Sequence, residues 1–125
     1  MAETVMPKFN YDEDTDILYI SFAPGEKATA TVELNDNVVL RFDRNEQRAI
    51  GLTLMDFSVL VQPGILGPQY FPLSGLADLE SDWQEVVLNL LKQPPVSDII
   101  KLSSYRAASR DSVPIVAIDI PLMLA

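Results

Sequence analysis

Carboxylates have the widest chemical scope in this chain, and their densest run is Asp12, Glu13, Asp14 and Asp16. Asp12, Asp14 and Asp16 have the spacing of the first three ligands of an EF-hand calcium loop, where alternate side chains turn toward one ion. The rest of that loop does not follow. Its sixth position is Ile17, where the sharp turn needs glycine, and its twelfth is Ala23, where the ion needs a bidentate glutamate. The cluster therefore reads as a solvated turn ahead of a strand, and no metal site is expected. Acid/base work on a sugar would need a pair of carboxylates, with Glu33, Asp43 and Asp56 as the candidates. Nothing distinguishes the three, and Glu33 and Asp43 fall on the solvent-side parity of their strands, where charged residues are ordinary surface.

Missing residue types narrow the chemistry further. The 125 residues include no Cys and no His. That excludes disulfides, thiolate nucleophiles, iron–sulfur clusters and thiolate zinc sites, and it removes the commonest general base and every Ser-His or Cys-His nucleophile. Gly64 and Gly67 lack the lysine and the serine or threonine of a phosphate-binding loop. No catalytic residue is assigned, no cofactor is expected, and a non-catalytic protein is the favoured reading. Eighteen acidic residues against nine basic ones give a formal charge of −9. Such a chain repels nucleic acid and anionic membranes and suits a basic partner. A composition 48% hydrophobic and 22% charged is that of a globular protein. No stretch is apolar over the ~20 residues a membrane helix requires. Residues 1–8 lack the basic end and apolar run of a secretory signal, so a cytoplasmic location is expected.

The elements that would position any site begin with strands. Residues 9–54 alternate polar and apolar side chains in short runs bounded by turn residues, the period-2 pattern of half-buried strands. Leu18, Ile20 and Phe22, then Ala28, Ala30, Val32 and Leu34, then Val38, Leu40 and Phe42, then Ile50, Leu52 and Leu54 form one apolar face. Read as an antiparallel β-meander, residues 23–27 close a hairpin that sets Phe22 opposite Ala28, Ile20 opposite Ala30 and Leu18 opposite Val32. Residues 35–37 close a second, pairing Leu34 with Val38 and Val32 with Leu40, and residues 44–48 a third, pairing Phe42 with Ile50. A one-residue slip would turn each apolar set toward solvent, so the parity supports this register.

Residues 62–73, with Pro63, Gly64, Gly67, Pro68 and Pro72, form a connector that holds neither a long helix nor a central strand. Ser81 with Gln84 reads as a capping box opening a helix that Pro94 and Pro95 end. Trp83, Val86, Val87, Leu90 and Leu91 make its apolar stripe, which needs an apolar surface such as the meander offers. Trp83 is read as a core anchor. Residues 97–104 suit either a short helix or a strand. Residues 113–124 read as an extended apolar segment that Pro114 and Pro121 confine to an edge, and that either completes the core or joins a neighbouring subunit. The fold class is α+β: a meander of about four strands, an amphipathic helix and a C-terminal strand. One domain is expected, with the meander over 9–56, the connector over 62–73 and the remainder over 74–125.

The opposite face of the meander carries Tyr19, Ser21, Thr29, Thr31, Glu33, Val39, Arg41, Asp43, Ala49, Gly51 and Thr53. By the pairing above, Tyr19, Thr31, Arg41 and Gly51 line up, one aromatic and one guanidinium in a row of small residues. These four are the candidate ligand- or partner-binding residues. A flat surface of this kind could receive a strand, a helix or a second copy, or be covered by the chain's own C-terminal half.

Tyr11, Asp12, Asp16, Leu18, Tyr19 and Ile20, in the order YDxxxDxLYI, resemble a widespread bacterial family of short proteins classed as a domain of unknown function. The strand 38–42 and a GIEILD-like run at Gly51 to Asp56 extend the resemblance over about the first half of the chain. Some members are encoded beside small toxin-like proteins, which implies an antitoxin-like role by association. Residues 62–125 are an extension that the short forms lack, so a role carried by those forms can be altered here. Two readings follow. One is a non-catalytic interaction or oligomerisation protein, acting as a homo-oligomer or through a small basic protein such as an RNA-cleaving toxin. The alternative is a small-ligand-binding protein or a carboxylate-only enzyme using Tyr19 and Arg41.

Overall fold

The computed structural model describes residues 7–62, 70–106 and 112–118. The chain divides into two compact units, Met1–Phe57 and Ser58–Ala125. Pro63, Gly64, Gly67, Pro68 and Pro121 of the sequence reading lie outside the described residues.

The first unit is a five-stranded antiparallel sheet of β1 (Lys8–Asp12), β2 (Ile17–Ser21), β3 (Ala30–Glu33), β4 (Val38–Asp43) and β5 (Arg48–Met55). Its spatial order is β1-β2-β5-β4-β3. The apolar face is as the alternation requires: Leu18, Ile20, Val38, Leu40, Leu52 and Leu54 are each 3% exposed or less. Placing all of them on one side stabilises the sheet by roughly 1.5–3 kcal/mol per large side chain fully removed from water.

The order of strands corrects the expected meander. Residues 23–27 do not close a hairpin: Leu18 lies opposite Leu54 and Ile20 opposite Leu52, so β2 pairs with β5 and not with β3. Residues 22–29 instead carry the chain across the end of the sheet to its far edge. Eight extended residues reach about 26 Å, well over the ~14 Å of three inter-strand gaps. Both pairings put apolar residues against apolar residues, so parity alone does not choose between them. The crossing is pinned by Phe22 N–H donating to the Ile50 carbonyl (2.8 Å) and Thr29 N–H to that of Phe42 (3.1 Å). Arg44 N–H adds a bond to Thr29 Oγ1 at 2.8 Å. Arg48 clips the same segment to the β4–β5 turn through an ion pair with Glu26, and those carboxylates, Glu26 first and then Glu46, hold its guanidinium charged.

The second hairpin keeps its expected register, with Val32 opposite Leu40. The third departs by one residue. Arg41 faces Gly51 but Phe42 faces Ala49, leaving Ile50 as the extra residue of a β-bulge. The bulge lets Ala49 and Ile50 both be buried, which strict alternation forbids.

In the second unit, the helix α2 (Ser81–Lys92) follows a single helical turn, α1 (Phe57–Leu60). The capping box is corrected by one position: Glu80 is the N-cap and makes no side-chain cap bond. Gln84 donates through its side-chain amide to the Leu79 carbonyl at 2.8 Å. The stripe holds at its centre, with Val87, Leu90 and Leu91 buried, whereas Trp83, read as a core anchor, is half-buried, as is Val86. Its neighbours are the 3₁₀ turn Val96–Asp98 and the strand β7 (Ile100–Arg106).

The C-terminal segment is also corrected. The strand β8 (Ser112–Ile118) is the middle of a three-stranded sheet, between β7 and the two-residue β6 (Phe71–Pro72). Pro114 is tolerated because β6 pairs with Ile115 and Val116 and stops short of it. Among the described residues, no helix is long and apolar enough to cross a membrane. The architecture is α+β: a five-stranded antiparallel sheet, one amphipathic helix and a second small sheet.

Candidate functional site

The second face of the five-stranded sheet is assembled from alternate residues of its strands. One row runs Ser21, Gly51, Arg41, Thr31 from β2 through β5 and β4 to β3. The adjacent row runs Tyr19, Thr53, Val39, Glu33. Three of the four candidate residues are thus brought together. Tyr19 is not in their row, because its strand pairs with β5 in a register that places Ser21 at Gly51. Tyr19 is 41% exposed, Thr31 and Glu33 are exposed, and Ser21, Val39, Arg41 and Thr53 are half-buried.

Gly51 explains how a guanidinium is held in such a face. A Cβ at this position would lie 2.5 Å from Arg41 Nη2, 3.1 Å from its Cζ and 2.8 Å from the Ile20 carbonyl oxygen. Arg41 therefore turns toward β5 and fills the space that any other residue at 51 would occupy. Its Nε is withdrawn from solvent and has no hydrogen-bond partner among the described residues. Leaving a buried donor unsatisfied costs about 1–3 kcal/mol, more for a charged group. A glycine within a strand pattern is the sequence signal for such a close approach, although which side chain would come close was not readable from it.

Four of the carboxylates singled out from the sequence, Asp12, Asp16, Asp43 and Asp56, do local structural work. Asp43 Oδ1 accepts the backbone N–H groups of Asn45 (2.8 Å) and Glu46 (3.0 Å), forming the β4–β5 turn. Asp56 Oδ2 accepts from Asn37 Nδ2 at 3.1 Å. In the acidic cluster, Asp12 Oδ1 accepts the Asp14 N–H at 3.1 Å, and Asp16 Oδ1 accepts the Tyr11 hydroxyl at 2.7 Å. Asp16 adopts φ 57°, its carbonyl accepts the Phe57 N–H at 3.0 Å, and the Tyr11 and Phe57 rings lie 5.5 Å apart. The bond to Asp16, with the nearby acidic charges, raises the Tyr11 phenol above its ordinary range. These contacts make the YDxxxD motif a clamp on the β1–β2 hairpin. Among the described residues, no group of three or more carboxylates converges as metal ligands would.

No curated protein and no solved structure shows significant similarity to the chain. A family model described as "Protein of unknown function (DUF2283)" matches residues 8–58. That span contains β1 to β5 and the whole of the face just described, so the five-stranded sheet is the part of this chain that matches an unknown-function domain family.

Proposed function

We propose that this chain is a non-catalytic interaction module of the bacterial cytoplasm and that the second face of the five-stranded sheet is its contact surface. The observation that carries this reading is Arg41, a half-buried guanidinium with an unsatisfied Nε, set among Ser21, Thr31, Val39, Gly51 and Thr53 on a face that also carries Tyr19 and Glu33. A guanidinium filling the seat at Gly51 takes up the space a small ligand would need there, which favours association over a small-ligand or enzymatic site. A sheet face with a planar guanidinium near its centre is suited to a partner that supplies a carboxylate.

Light scattering on the purified chain over a wide range of concentration, beside a Val39→Asp variant, tests this. The expected result is a mass above the monomer that rises with concentration and is lost in the variant. A monomer mass throughout would overturn self-association. A second reading, an antitoxin-like role with a small basic partner, is supported by the formal charge of −9. It predicts co-purification of a basic protein at low salt that is released as salt rises.

A further inference from the structure

Resting on the reading of this face as a contact surface, we propose that its occupant is a second copy of this chain, arranged so that Arg41 of each copy meets Glu33 of the other. Arg41 and Glu33 occupy the same face, on adjacent strands and diagonally placed: Arg41 is opposite Thr31, and Glu33 is opposite Val39. Within one chain they do not pair, because the Arg41 guanidinium is turned away from β3 onto Gly51. Glu33 is exposed, and among the described residues its carboxylate enters no ion pair. The face thus presents one positive and one negative group side by side, not paired with each other.

Such a diagonal pair is self-complementary. In an isologous contact, residue i meets j and j meets i. A two-fold axis lying between two stacked faces, midway between Arg41 and Glu33, makes both Arg41–Glu33 contacts at once. The other diagonal, Thr31 and Val39, then lies close to the axis. A basic partner would instead bring its charge against Arg41. The face measures about 19 Å across its four inter-strand gaps and about 17 Å along a five-residue strand. That places the contact at the small, weak end of protein interfaces, and the mutual repulsion of two acidic chains calls for physiological salt, where the Debye length is about 8 Å.

The test uses Arg41→Glu and Glu33→Arg in the full chain, each alone and mixed in equal amounts, by sedimentation at concentrations where the wild type is largely dimeric. Each variant alone opposes two like pairs and is expected to run as a monomer. In the mixture the two introduced charges, opposite in sign, face each other across the contact, and the unaltered Glu33 of one variant meets the unaltered Arg41 of the other. The dimer mass is expected to return. Arg41→Gln and Glu33→Gln, each expected to weaken the dimer about tenfold, keep the test open if a reversed charge prevents folding. A mixture that stays monomeric beside a dimeric wild type would overturn the pairing while leaving the contact-surface reading intact. A wild type that is monomeric up to about 1 mM would overturn the second copy as occupant.

Discussion

On one side of the five-stranded sheet, Ile20, Leu40, Leu52 and Leu54 are fully buried; on the other, along the same strands, Tyr19 is 41% exposed and Thr31 and Glu33 stand in solvent. Alternation lets one short segment carry both, because adjacent residues of a strand serve opposite faces. Stability and recognition are therefore separable almost everywhere in this sheet. They meet at Gly51, where the backbone lies so close to both the Arg41 side chain on the second face and the Ile20 carbonyl that no Cβ fits.

The largest effects belong to the buried side. Leu40→Ala or Leu52→Ala is expected to lower stability by about 2–5 kcal/mol, read as a fall in denaturation midpoint with unchanged slope. Gly51→Ala comes next, at about 1–3 kcal/mol for overpacking. Removing the competing side chain with Arg41→Ala should recover only part of that loss, because the Ile20 carbonyl stays in the way. A full recovery would mean that the backbone is not close.

Smaller effects lie at the margins of the sheet. Tyr11 should ionise above the ordinary tyrosine range, followed by phenolate absorbance, and Asp16→Asn should bring it back down, asparagine also tolerating the positive φ at 16. Because the folded phenol keeps its proton to higher pH than the unfolded one, this contribution to stability is present below the ordinary tyrosine pKa. It fades as pH rises through the raised folded value. Arg48→Ala should cost least, under about 1 kcal/mol for an exposed ion pair and less again at high salt.

The apolar face was legible in the sequence because period-2 alternation is a strong physical signal over residues 17–54. Strand neighbours were not. Ile20 pairs with Leu52 and not with Ala30, and both choices satisfy the same parity; the decision rests on a loop of residues 22–29 long enough to cross the sheet end. Thr31 and Arg41 were found together because the turn of residues 35–37 specifies their register; Gly51 joins them as expected only because the bulge at Ile50 offsets the one-residue departure at the β4–β5 turn. Tyr19 was displaced from them because its position depends on the one connection that turns do not specify. The bulge at Ile50 and the central place of β8 likewise depend on tertiary packing and on how far a neighbouring strand reaches.

Whether the second face is the contact surface can be decided residue by residue from amide chemical shifts of the isotope-labelled wild type, recorded from dilute to concentrated solution. Concentration-dependent shifts are expected at Thr31, Glu33, Val39, Arg41 and Thr53, with residues of the second unit unmoved. Shifts confined to β1 or to the strands β6, β7 and β8, or none at all, would contradict that assignment.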